Sequence, residues 1–94
     1  MDYQPSVELL EATHRFPGPF MFKIIGRSED QFVARVLSAV RTLLGDENEP
    51  AFSVRKTANG THTCVTVEPE VPSASMVVEI YTQLRGIDGV MMLF

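Results

Sequence analysis

The sequence predicts an α+β domain with the element order β-α-β-β-α-β. Three observations carry this. Two stretches, 32–44 and 77–84, repeat apolar residues at the helical period. Four short runs rich in β-branched and aromatic residues, 20–25, 51–57, 61–68 and 89–94, read as strands. Between the second and third of these stands Asn59-Gly60. That dipeptide tolerates the positive φ angles of a tight hairpin, so the strands it joins are antiparallel neighbours.

Residues 1–19 are an N-terminal extension, and residues 20–94 are the domain proper. Ser6 caps a short helix with Leu9 and Leu10 as its apolar contacts. Phe16-Pro17-Gly18-Pro19 stops that helix, because two prolines hold the chain extended. In the first strand, 20–25, Lys23 sets the phase. With Lys23 turned outward, Phe20, Phe22 and Ile24 face the core, since strand side chains alternate. Gly26 ends the strand.

Ser28-Glu29-Asp30-Gln31 has the form of a capping box and predicts that the first long helix starts at Ser28. Its apolar stripe is 32, 33, 36, 37, 40, 43 and 44, and Gly45 is its left-handed stop. Arg35 and Arg41 fall on its wet side. Asp46 to Pro50 is a solvated acidic loop without the ligand spacing of a calcium site. In the hairpin, Phe52 and Val54 share a face, as do Val65 and Val67. The second helix runs from Ala74 to Arg85, capped by Ser73, with Val77, Ile80, Tyr81 and Leu84 as its stripe. Gly86 ends it and Ile87 folds back in a Schellman stop.

A strand–helix–parallel-strand unit is almost always right-handed. Combined with the hairpin, this yields the ferredoxin-like split βαβ arrangement. Four antiparallel strands take the order 4-1-3-2, counted along the chain, and both helices cover one face. The predicted core is Phe22, Ile24, Phe32, Val36, Val40, Val65, Val67, Ile80, Leu84, Val90 and Met92.

The chain has 94 residues, enough for one core without disulfide or metal staples. With 45% hydrophobic and 21% charged residues it is globular rather than disordered. Its net charge of −4 argues against binding driven by phosphate attraction, so no nucleic-acid partner is expected. The single cysteine, Cys64, cannot form an internal disulfide. Met1 to Pro5 carries no secretion signal and no apolar stretch spans a membrane, so a cytoplasmic location and no membrane partner are expected.

Phe16-Pro17-Gly18-Pro19-Phe20, then Phe22-Lys23-Ile24-Ile25-Gly26, resembles the opening of the YbeD-like family of small uncharacterised bacterial proteins. Gly60, Ile80-Tyr81, Leu84, Ile87, Val90, Met92 and Leu93 fit the same pattern downstream. The resemblance covers roughly residues 16 to 94. Where the family often has Asn-Tyr after the hairpin glycine, this chain has Thr61-His62. The resemblance implies a ferredoxin-like fold similar to ACT-type regulatory domains, and no established activity. In ACT-type domains the loop after the first strand helps bind small ligands.

Gly26, Arg27 and Ser28 form that loop here and are the candidate ligand-binding residues. A helix N-terminus offers N–H groups to an anion such as a small carboxylate. Glu29 and Asp30 oppose an anion at the same place. His62 and Cys64 share a strand face, but a metal site needs three or four ligands, so neither metal nor cofactor is expected. No acid–base or nucleophile–base pair is visible, so no catalytic residue is assigned and an enzyme is not expected. Arg27 follows the strand directly, unlike the phosphate-cradling loop of an acylphosphatase. The outer positions Met21, Lys23, Ile25, His62, Cys64 and Thr66 lack the stacking aromatics of an RNA-binding sheet.

Met21 and Ile25 on the first strand and Met91 and Leu93 on the last fall on the side away from the helices. Large contiguous apolar patches are rare on soluble monomers, and these four residues are the candidate surface for a protein partner or for self-association. The expected function is a non-enzymatic regulatory or protein-interaction module. The alternative is an ACT-like sensor of a small ligand, using residues 26–28 at a dimer interface.

Overall fold

The computed structural model describes residues 5–45 and 49–94. Residues 46–48 of the expected acidic loop, and the first four residues, lie outside the described residues. The elements in order are α1 (Val7–Thr13), β1 (Gly18–Pro19), β2 (Phe22–Arg27), α2 (Phe32–Leu44), β3 (Ala51–Lys56), β4 (His62–Glu68), β5 (Glu70–Val71), α3 (Ala74–Arg85) and β6 (Val90–Leu93).

The strands form two antiparallel sheets where one was expected. The larger has the order β3-β4-β2-β6, and β1 pairs with β5 in a separate two-stranded ribbon. The ribbon arises where the prolines around Gly18 hold the chain extended, so that Gly18 lies opposite Val71. Of the three helices, α2 packs over β4 and β2, and α3 packs against α2, α1 and β6. The helix layer therefore includes α1, whose Leu10 belongs to the same buried core as the two longer helices. The open face of the larger sheet is not where α1 packs.

Phe22, Ile24, Val36, Val40, Val65, Val67, Val77, Ile80, Leu84 and Leu93 are almost completely buried in that core. Each large apolar side chain removed from water contributes about 1.5–3 kcal/mol. Tyr81 joins them, with its ring edge-on to Phe22 at 5.0 Å between centroids.

Four local expectations need correction. β2 does not stop at Gly26 but continues to Arg27. α2 begins at Phe32, not at Ser28. Asp30 and Gln31 both stand at φ 55°, in the left-handed region, and no side chain caps the helix. The capping box fails because the Ser28 hydroxyl is engaged elsewhere, on Thr63. At the end of α3, Gly86 is right-handed, at φ −82°, so the Schellman stop is absent; Gly86 and Ile87 donate instead to Gln83 and Leu84. In β6 the phase shifts. Leu93 lies opposite Ile24 and Met92 opposite Ile25, but Gly26 lies opposite Val90, leaving Met91 as the extra residue of a bulge. Leu93 is consequently buried, Val90 half-buried, and Met92 exposed. Neither Val90 nor Met92 takes the fully buried place expected of it.

Candidate functional site

The open face of the larger sheet is built from alternate residues of four strands. On β2 these are Lys23, Ile25 and Arg27, preceded by Met21; on β4 they are His62, Cys64, Thr66 and Glu68. Across the sheet, Ile25 stands between Cys64 and Met92, and Cys64 stands opposite Arg55. Lys23 stands between Thr66 and Phe94, with which it exchanges two backbone hydrogen bonds of 3.0 and 2.8 Å.

The face is graded. Toward β6 it is apolar: Met21 is 48% exposed, Met92 37% and Phe94 46%, with Ile25 half-buried among them. Met91, in the bulge beside them, is also exposed. Toward β3 it is polar and basic. Its basic strand residues are Arg55 on β3 and, on β2, Lys23 beside Phe94 and Arg27 paired with Glu29, against one strand carboxylate, Glu68.

Of the four residues expected on this surface, Met21 and Ile25 are on it and Met91 is exposed at its edge. Leu93 is not: the bulge turns it into the core. Met92 and Phe94 take its place. Sequence reasoning missed them because Val90 to Phe94 is apolar throughout, with no polar residue to fix the phase.

The segment expected to bind a ligand is arranged otherwise than as a free anion cradle. Gly26 is buried, and a Cβ there would stand 2.4 Å from the Phe32 ring and 2.7 Å from the Gly89 carbonyl oxygen. Its smallness serves the packing of α2 and β6 against β2. Arg27 is exposed and pairs with Glu29 at 3.0 Å. The Ser28 and Thr63 hydroxyls share a hydrogen bond of 2.5 Å, and Thr63 is buried.

Arg35, expected to be solvated, is half-buried. It donates to the carbonyls of Asp30 and Asp88 at 2.8 Å and of Glu29 at 3.4 Å, with its guanidinium over the Phe32 ring. It thus ties the loop before α2 to the loop before β6. No periodicity in the sequence marks it for that role.

Ser28→Ala is expected to cost about 1–3 kcal/mol by leaving the buried Thr63 hydroxyl unpaired, a loss visible in chemical denaturation. Ser28→Ala combined with Thr63→Val should recover much of it, which loss of a helix cap would not permit.

Between the start of α2 and the hairpin lies an open trough of about 720 Å³, lined by Ser28 to Ala34, Leu37, Lys56 and Thr63. It exists because neither helix extends over β3. Phe52 and Val54 lie opposite Val67 and Val65 on the helix side, yet remain 50% and 44% exposed.

Among the described residues no group of three His, Cys, Asp or Glu is placed to hold a metal ion, and no helix is long and apolar enough to cross a membrane.

Comparison with known proteins agrees with this architecture. The chain resembles, in fold alone, the crystal structure of the ACT domain from GTP pyrophosphokinase of Chlorobium tepidum. The TM-score is 0.63 at 10% identity, over 82% of this chain and 95% of that one. It is 36% identical over 83 residues to a UPF0250 protein of Shewanella halifaxensis, covering 88% of each chain. It is 30% identical to a UPF0250 protein of Nitrosomonas europaea, over 88% of this chain and 95% of that relative. The model of the family described as "Protein of unknown function (DUF493)" matches residues 11–94. With its family model matched over residues 11–94 and its YbeD-like relatives aligned over 88% of its length, the chain belongs to the DUF493 (UPF0250) family.

Proposed function

We propose that the domain is a non-enzymatic docking module that seats a partner protein on the open face of its larger sheet. The observation that carries this is the composition of that face. Exposed Met21, Met92 and Phe94 surround half-buried Ile25 on a side where, among the described residues, no helix is packed. Apolar patches rimmed by charge are where soluble proteins meet their partners, and methionine side chains adapt to the surface they meet. The basic rim, Lys23 and Arg55, selects the occupant: a protein presenting apolar side chains within an acidic border. A second copy of this chain fits the face poorly, because Lys23 and Arg55 would meet their own counterparts.

The test is affinity capture at moderate salt with the wild-type chain and with Met92→Glu/Phe94→Glu. The double variant should keep the wild-type melting temperature and lose the captured protein. Lys23→Glu should weaken capture and flatten its dependence on salt. Equal capture by all three chains would refute the docking face.

A second reading, a small-carboxylate sensor, draws support from the trough beside α2, where Lys56 and the Ser28 and Thr63 hydroxyls converge. Glu29 and Asp30 line the same trough and oppose an anion, which places this reading second. The sheet-face variants leave the trough intact, so they separate the two.

A further inference from the structure

β3 is the edge of the larger sheet, and all six of its residues are exposed. This is unusual on its helix side, where Phe52 and Val54 continue the apolar row of the fully buried Val67 and Val65 and yet remain about half exposed. The backbone of β3 is equally open. Thr57 donates to the His62 carbonyl at 3.0 Å, which fixes the alternation of the hairpin ladder. Residues 51, 53 and 55 then turn their N–H and C=O groups toward β4, and 52, 54 and 56 turn theirs outward. The two residues with exposed apolar side chains are thus also residues with free backbone groups. An edge that exposes apolar side chains and free backbone groups together is a template for another strand.

We propose that this edge pairs with the same edge of a second copy of the chain, antiparallel, with Ser53 opposite Ser53 across a two-fold axis. The strand is self-complementary in this register. Phe52 of each copy lies opposite Val54 of the other, and each such pair exchanges both of its N–H···O=C bonds. Two apolar pairs therefore form side by side on the helix side. On the open face, Arg55 lies opposite Ala51 of the second copy, so the two Arg55 side chains stay apart, and Glu49 keeps its 3.1 Å ion pair with Arg41. A shift of the register that set Arg55 opposite Arg55 would reverse this. Pro50 lies opposite Lys56, accepts from its N–H and has none to donate, so the ladder closes there. A partner of unrelated sequence would match the free backbone groups but not this palindromic order of apolar residues. The pairing leaves the docking face uncovered, with the two apolar patches toward opposite ends of the combined sheet.

The experiment is sedimentation equilibrium of the wild-type chain and of Val54→Pro, up to sub-millimolar concentration. The N–H of Val54 points away from β4, so proline there removes a donor from the free edge and none from the hairpin. The wild type should approach twice its 10.5 kDa mass, and Val54→Pro should remain at 10.5 kDa with an unchanged circular dichroism spectrum. Should Val54→Pro unfold, Ser53→Cys in a Cys64→Ser background decides the question. Ser53 and its counterpart form a non-hydrogen-bonded pair with Cα atoms about 4.5 Å apart. That lies within the range a disulfide bridges, about 4.4–6.8 Å. Mild oxidation should convert the Ser53→Cys chain to covalent dimer. Arg55→Cys, about 13 Å from its counterpart in this register, should not cross-link. A wild type that stays at 10.5 kDa throughout overturns the proposal. So does a dimer that survives Val54→Pro, or one that Ser53→Cys does not cross-link. Met92→Glu/Phe94→Glu should leave the dimer unchanged, so failure here and failure of the docking face are distinguishable.

Discussion

Phe22→Ala is expected to lower the stability of the domain by about 3–5 kcal/mol, the cost of the lost transfer energy plus a cavity. The phenyl ring is wholly buried at the start of β2. It stands 5.1 Å from the Phe20 ring and 5.0 Å from the Tyr81 ring, centroid to centroid. These neighbours lie on two separate segments, the stretch before β2 and α3, and cannot both collapse into the space left behind. Against a total stability of about 5–15 kcal/mol, the loss is a large fraction. Urea denaturation of both chains measures it from the shift in midpoint. A loss below about 1 kcal/mol, far under the usual cost of emptying a core site, would mean that Phe22 does not sit between sheet and helices.

Gly26→Val is expected to destabilise by at least the upper end of the ~1–3 kcal/mol usual for overpacking a core. The Cβ alone would stand 2.4 Å from two atoms of the Phe32 ring and 2.7 Å from the Gly89 carbonyl oxygen. The ring is itself buried, and the carbonyl belongs to backbone held by a 3.1 Å hydrogen bond from Arg27. Neither can move without opening the contact between β2 and β6. Gly26→Ala should therefore cost nearly as much as Gly26→Val. Thermal unfolding without any added ligand checks this. A Gly26→Val chain with a wild-type melting temperature would return the glycine to a ligand-binding role.

What the sequence made legible follows a physical pattern. The extent of helix α3, about Ala74 to Arg85, was readable because a polar face, a Ser73 cap and a terminal Gly86 all mark the same stretch, although its Schellman stop is absent. The phase of β2 was readable because one charged residue, Lys23, divides its apolar run. Where such marks are missing, the reading failed. Val90 to Phe94 has no polar residue, so the bulge at Met91 and the burial of Leu93 left no sign. The start of α2 misled for the opposite reason: Ser28 to Gln31 has the composition of a cap, but a tertiary partner, Thr63, takes the serine hydroxyl. Local propensity lost there to a contact 35 residues away. The exposure of Phe52 and Val54 was also hidden. Alternation tells which side of a sheet a residue faces but not how far the helices reach across it.

The candidate surface was half legible for the same reason. Met21 and Ile25 follow from the phase of β2, whereas Met92 and Phe94 follow only from the register of β6. The contacts of Arg27 and Ser28, an ion pair with Glu29 and a bond to Thr63, were not legible in the sequence.

A partner protein docked on the open face of the sheet would change the environment of that face and leave the helices as they are. Amide and methyl chemical shifts of the isotopically labelled chain, recorded as the captured protein is titrated in, test it most directly. The account predicts changes concentrated at Met21, Lys23, Ile25, Met92 and Phe94, with the methionine methyl signals moving most and α2 and α3 unmoved. Changes confined to α2, Lys56 and the trough beside them, with the methionine methyls unmoved, would contradict it.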